Sequence, residues 1–272
     1  MVHEFAFRDA DFRHIAQLVH SHMGIMLPEQ KKEMVYARLA RRLRTLGLSD
    51  FGSYLKRLED PAELEMLANA MTTNVTAFFR EPHHFHHLAE TVLPQAAAQN
   101  KNRRLRIWSA GCSAGMEAYS IAMTVLTHLP NAKQWDVKIL ATDIDTAILE
   151  RGKKGDYDAH QWDKIPETCR GTLARLQANG TMSVSDDVKK LVCFKHLNLL
   201  EDWPMQGPFD AIFCRNVVIY FDKETQRHLF ARMADLLKPQ GWLYIGHSEN
   251  LHYVSDRFTL LGSTIYRLND HE

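Results

Sequence analysis

From about Arg104 onward, short β-branched or apolar runs alternate with amphipathic helical stretches, the pattern of a mostly parallel sheet with helical crossovers. Residues 105–108 read as a first strand and 116–129 as the helix after it. A second strand spans 137–141 and ends in Thr142-Asp143, with the next helix starting at 146–153. Residues 155–190 then hold too many positions for a helix-to-strand connection and contain an Asn179-Gly180 turn between short runs, which predicts a small inserted β-subdomain. The sheet resumes at 191–194, 209–214 and 242–245, with a helix over 223–237 between the last two. Residues 258–268 read as an antiparallel hairpin turning near Gly262-Ser263.

Upstream the texture differs. Residues 1–75 read as helices almost throughout, punctuated at Gly24, Leu27-Pro28, Gly47 to Asp50 and Asp60-Pro61. In the stretch 30–46, Val35, Leu39, Leu43 and Leu46 share one helical face, while Lys31, Arg38, Arg41, Arg42 and Arg44 lie around the remainder and Gly47 supplies the stop. Acids follow at Asp50, Glu59, Asp60, Glu63 and Glu65, so this region is charge-segregated along its length. Two readings stand side by side: a solvated face compensated by neighbouring helices, or a docking surface for an acidic partner helix.

Over 272 residues, 33 basic and 33 acidic side chains cancel, so no global field draws the chain to nucleic acid or acidic lipid, and electrostatic recognition must be local. Cys112, Cys169, Cys193 and Cys214 are widely spaced without a CxxC pair, which predicts reduced thiols. The first residues carry no basic-then-apolar secretory pattern, and no run reaches the roughly 18–20 apolar residues of a membrane helix. A cytoplasmic protein without membrane insertion is expected.

The first strand runs into Ser109-Ala-Gly-Cys-Ser-Ala-Gly115, small residues that let backbone approach a ligand while a helix N-terminus offers free amides. A tight structural turn is the plainer reading of this loop. The dinucleotide fingerprint is absent, since it needs glycine where Ser113 stands. Asp143, ending the second strand, is placed to bind ribose hydroxyls or to cap the following helix. Arg215-Asn216 close the strand 209–214, where ligands bind in α/β folds, and Asp222 reads as the cap of the helix from Lys223. Together, strand, glycine loop and strand-end acid point to an adenosine cofactor.

The motifs NVTAFFR, GCSAG leading to EAYSIAM, ATDID, NLL at 198–200, FCRNVVIYF and GHSEN, in this order over nearly the whole chain, resemble the S-adenosylmethionine-dependent glutamate O-methyltransferases of bacterial chemotaxis receptors, the CheR type. The resemblance implies a Rossmann-like class I methyltransferase domain over 76–272, with an inserted β-subdomain near 155–190, preceded by a small all-helical receptor-docking domain over 1–75. It further implies cofactor contacts from Asn74, Thr76, Arg80, Glu117, Asp143, Asn198, Leu199, Arg215 and Asn216, with Arg80 and Tyr220 nearest the reacting methyl. Asp143 would take the ribose hydroxyls, and Asn198 and Leu199 the adenine. Lys31, Arg38, Arg41, Arg42 and Arg44 become candidates for docking the helical bundle of a receptor, through which a cytoplasmic monomer would reach the membrane arrays. The inserted segment lacks a Gly-x-Gly loop at its turn, which favours an enzyme that needs no receptor tether. The sequence departs from the family where a GEEPYS-like stretch reads Gly115-Met-Glu-Ala-Tyr-Ser120: Glu117 is retained, and Met116 inherits no role.

Three competing readings follow from single features. His83, His84, His86 and His87 crowd one segment without a nearby cysteine, so an exposed, partly packed helix is preferred over a hydrolase metal site, and no metal is expected. A nicotinamide oxidoreductase lacks its fingerprint. An inactive receptor-binding adaptor with a methyltransferase fold is suggested by Met116 and Ala118 and opposed by Arg80, Glu117, Asp143 and Arg215-Asn216.

Overall fold

The computed structural model describes residues 3–270. Four helices come first: α1 (Asp9–Met23), α2 (Lys32–Leu46), α3 (Phe51–Arg57) and α4 (Pro61–Met71). Local chemistry sets their limits. Asp50 and Asp60 each accept a backbone N–H in the first turn of α3 and α4, and Pro61 occupies the first helical position, where an amide is not needed. Gly24 and Gly47, at φ 69° and 65°, end α1 and α2 in the left-handed conformation. The apolar faces, including Ile15, Val19, Val35, Leu39, Leu43 and Leu67, close on Phe51 and Tyr54 to make a core of their own. Each such fully buried aliphatic side chain contributes about 1.5–3 kcal/mol relative to exposure.

Next, α5 (Pro82–His87) runs through a π-helical turn, Leu88–Val92, into α6 (Leu93–Gln99). The α/β part then follows as β1 (Arg104–Ala110), α7 (Met116–His128), β2 (Asp136–Asp143) and α8 (Thr146–Lys154). Three short strands, β3 (Asp156–Asp158), β4 (Ala174–Leu176) and β5 (Thr181–Val184), form a separate antiparallel sheet in the order β3-β5-β4, ahead of the short α9 (Asp186–Lys189). The chain returns to the main sheet with β6 (Val192–His196), β7 (Phe209–Cys214), α10 (Lys223–Leu236), β8 (Leu237–Ile245), β9 (Phe258–Gly262) and β10 (Ile265–Leu268).

The main sheet has the order β6-β2-β1-β7-β8-β10-β9, parallel from β6 to β8 and antiparallel for the last two strands, as the sequence pattern predicts. Period-two alternation builds a core on each face. Leu105 and Ile107 of β1 join α7 on one side, while Trp108 and Ala110 join Phe230 and Met233 of α10 on the other. Because α7 is sandwiched, its residues from Ala118 to Val125 are all buried, which is why its sequence is apolar nearly all round.

Two local expectations are corrected. The strand predicted at 242–245 begins at Leu237: Phe209 pairs with Leu237 and Ala211 with Trp242, so the intervening residues 238–241 leave the ladder. Pro239 and Gly241 within that excursion hid the strand from a pattern reading. The cap of α8 is Asp145, which accepts the N–H of Ile148, so Asp143 is released from that duty.

Candidate active site

Strand order reverses between β1 and β7, and at such a point the loops leaving two neighbouring strands diverge and open a crevice at their carboxyl ends. The cleft found there is walled by the loops after β1, β2 and β7, by residues 71–80 preceding α5, and by Met23, Ile25, Met26, Leu27, Lys31 and Met34 of the helical region. Close packing shapes its floor: Gly111 has φ 74°, and a Cβ there would lie 2.3 Å from Val217 Cγ2, so only glycine lets the two loops meet.

All nine predicted cofactor residues, and Tyr220, line this one cleft. Asp143 is buried; its Oδ2 accepts the N–H of Ser113 at 2.8 Å and its Oδ1 that of Asp145 at 3.0 Å. Burial raises its pKa, opposed by these amide bonds. Each oxygen keeps a further lone pair, an acceptor set suited to a vicinal diol. Glu117 is mostly buried, its side chain 12% exposed, with Oε1 accepting from Ser109 Oγ at 2.7 Å and Oε2 from Arg215 at 3.0 Å. Desolvation raises its pKa, and the Arg215 guanidinium pulls it back.

Arg215, 2% exposed at its side chain, lies between Glu117 and Glu81, which is 3.3 Å away, and also donates to the carbonyl of Arg80. One guanidinium between two carboxylates leaves Glu117 only partly compensated beside Asp143, a local acidic pair that suits a cationic group, while Arg80 and Lys31 bring positive charge to other parts of the cleft. Asn74 donates to Asp145 at 2.7 Å, and its carbonyl accepts from Ser113 Oγ. Arg80 makes a single side-chain bond, to the Val75 carbonyl, and has no carboxylate partner among the described residues. The Tyr220 hydroxyl likewise has no partner among them, while its backbone carbonyl accepts from Met26 and so ties the loop after β7 to the helical region.

Several expectations change in detail. Asn198 lines the cleft but spends both amide hydrogens elsewhere, on the His22 carbonyl at 2.7 Å and on Glu201 at 3.1 Å. Its Oδ1, which accepts from Leu200, is the atom left to meet an adenine amine. The docking set divides. Arg38 donates to the carbonyls of Ala70, Met71 and Thr72 at the end of α4, and Arg42 makes a two-pronged ion pair with Glu63, so both are spent inside the fold. Arg44 pairs with exposed Glu4, whereas Lys31 and Arg41 are exposed and Lys31 stands on the cleft wall. The histidine segment is a partly packed helix: His86 is exposed, His84 is fully buried, and His87 packs on Trp242 and shares a hydrogen bond with Tyr244.

Glu81, His83 and His84 do bring ligand atoms within 4.8 Å of one another. The Arg215 guanidinium beside the Glu81 carboxylate opposes a second cation there, so no metal role is assigned. Met116 and Ala118 pack in the core on α7 and do not line the cleft, so the departures at these positions leave its walls intact. Sequence reasoning missed Glu81 and the wall contributed by residues 23–34. The first is a lone acid beside a proline, and the second exists only once α1 and α2 fold onto the sheet.

A seven-stranded sheet of this order, with a strand-end acid and a glycine loop at its switch point, defines a class I S-adenosylmethionine-dependent methyltransferase. Residues 74–267 match the family model described as the CheR methyltransferase SAM binding domain, and residues 10–72 match its all-alpha domain; the chain belongs to the CheR methyltransferase family. The chemotaxis protein methyltransferase of Escherichia coli is 44% identical over 99% of this chain and 94% of its own length. Chemotaxis protein methyltransferase 2 of Pseudomonas aeruginosa is 42% identical over 97% and 94%. A solved structure of PKMT2 from Rickettsia typhi in complex with AdoHcy covers 64% of this chain and 26% of its own, at 16% identity and a TM-score of 0.37. No described helix is long and apolar enough to cross a membrane.

Proposed function

We propose that this enzyme methylates glutamate side chains on the cytoplasmic helical bundles of chemotaxis receptors, giving glutamate methyl esters and S-adenosylhomocysteine and so serving chemotactic adaptation. The observation that carries the reading is the pairing, in one cleft, of the acids Asp143 and Glu117 with two donors that have no carboxylate partner among the described residues, Arg80, bonded only to the Val75 carbonyl, and the Tyr220 hydroxyl. The acidic set fits S-adenosylmethionine, which carries a ribose diol for Asp143 and an ammonium for Glu117. When bound, the cofactor supplies an electrophilic methyl on a cationic sulfur.

The substrate needs no general base, because a glutamate with a pKa of about 4.3 is already ionised at neutral pH. Its oxygen forms the bond to the methyl carbon as the carbon–sulfur bond breaks, and that electron pair stays on sulfur. The protein's task is therefore to position and to dehydrate: Arg80 steers the carboxylate and Tyr220 donates to its second oxygen, holding the attack in line at roughly 3–3.5 Å. Lys31, Arg41 and Arg44 contribute positive charge for docking an acidic receptor helix, which recruits the enzyme from the cytoplasm to receptor arrays.

Methyl transfer from radiolabelled cofactor to a purified receptor fragment tests this. Arg80→Ala and Tyr220→Phe should each lower kcat/KM by about 100-fold, with Tyr220→Phe keeping wild-type cofactor affinity. Normal turnover in both variants would remove these roles, and failure of the wild-type enzyme to label any receptor glutamate would sink the substrate assignment.

A further inference from the structure

The GHSEN stretch follows β8 and meets Glu81 through His247, at 2.8 Å, and it also carries a buried acid with an unusual duty. Glu249 is 6% exposed and has no ion-pair partner among the described residues. Its Oε2 accepts the N–H groups of Asn216 at 2.9 Å and Gly246 at 2.5 Å, and its Oε1 those of Val218 at 2.9 Å and Ile219 at 3.3 Å. Three of these four amides belong to the loop that carries Asn216 and Tyr220 into the cleft. Asn216 itself is held at φ 59°, a left-handed conformation a non-glycine residue keeps only when its surroundings enforce it.

The same loop is gripped from its other side. Gln226 of α10 donates from Nε2 to the carbonyls of Val218 and Phe221, at 2.9 and 3.0 Å. Gly246 admits the close approach, since a Cβ there would lie 2.4 Å from Asn216 Nδ2 and 2.9 Å from its backbone nitrogen. A loop with three amides aimed at one carboxylate and two carbonyls meeting one side-chain amide is held to a single low-energy shape.

We infer that Glu249 is a positioning residue for methyl transfer: its carboxylate fixes the Asn216–Ile219 backbone and thereby sets where the Tyr220 hydroxyl meets the substrate carboxylate. The inference rests on the role proposed for Tyr220. A carboxylate is required because all four partners are donors. Glutamine would turn an NH2 group toward two of them, while aspartate keeps the acceptors but falls one methylene short.

The full-length enzyme tests this with a receptor fragment as substrate, by measuring kcat, receptor KM, cofactor affinity by calorimetry and Tm. Glu249→Gln should lower kcat by about 100-fold, the scale of a misplacement near 1 Å, while cofactor affinity stays near wild type. Glu249→Asp should recover part of the loss. In the Tyr220→Phe background, Glu249→Gln should cost far less than in the wild type, because the two act through one hydroxyl. Wild-type kcat in folded Glu249→Gln, or full additivity of the two substitutions, would overturn the inference. Should Glu249→Gln fail to fold, Glu249→Asp decides: a lowered kcat with retained cofactor affinity supports the role, and unchanged kcat refutes it. A silent Tyr220→Phe would instead locate the failure in the reading of Tyr220.

Discussion

Asp143 and His84 show how burial gives one side chain a binding task and another a pH dependence. Asp143 already satisfies two backbone amides, so its remaining acceptor capacity is what a ribose diol would use. Asp143→Ala should weaken S-adenosylmethionine binding by roughly 30-fold, in line with about 2 kcal/mol for hydrogen bonds to a charged group, and calorimetric titration measures it. An unchanged affinity would exclude it from the cofactor site. His84 is buried with no exposure, and desolvation, followed by repulsion from Arg215, lowers its pKa to about 3. Unfolded, it takes a proton below its ordinary value of 6.5; folded, it stays neutral, so its contribution to stability is whole above that value and falls as the pH drops toward 3. Between pH 7 and pH 5 the loss from this one group is about 2 kcal/mol. Thermal denaturation of His84→Gln at the two pH values should show a flatter dependence than wild type, and equal slopes would assign the acid sensitivity elsewhere.

At the scale of elements, the basic helix α2 shows why a correct helix assignment did not fix the fate of its charges. Its apolar face was legible from a 3.6-residue period, and so was its stop at Gly47. That Arg38 would reach the last carbonyls of α4 and Arg42 would meet Glu63 depends on how two helices cross, which no single-helix pattern encodes. Helix C-terminal carbonyls lack intrahelical donors, so Arg38 closes α4 where no glycine does. Arg38→Met should therefore cost about 1–2 kcal/mol of stability, read from urea denaturation. Arg42→Ala should cost more, about 3 kcal/mol, because it strands the buried Glu63 carboxylate. If instead both variants keep wild-type stability and lose receptor affinity, the arginines face the receptor after all. The strands of the main sheet were legible for the same periodic reason, and the glycine loop and Asp143 were legible because they sit where two such strands end. Glu81 and Glu249 were not, since each gains its meaning from partners far along the chain.

For the whole molecule, docking should be carried by the charges that folding leaves exposed. Reversing Lys31 and Arg41 together to Glu should raise the receptor KM several-fold at low salt, leave cofactor affinity unchanged, and lose its effect as salt is raised, because exposed charges are screened beyond about 10 Å at 0.1 M. A KM indifferent to both changes would place the receptor contact elsewhere. The cleft itself belongs to neither half of the chain: residues 23–34 close it from the helical side, and the Met26 amide is bonded to the Tyr220 carbonyl across the seam. A ligand of S-adenosylmethionine's size held between those walls would join two separate cores, so the halves should unfold in one transition with cofactor present and in two, or in one broader transition, without it. If the seam must open for the demethylated product to leave, the exchange of spent for fresh cofactor, rather than methyl transfer, becomes the step through which the helical half would govern turnover.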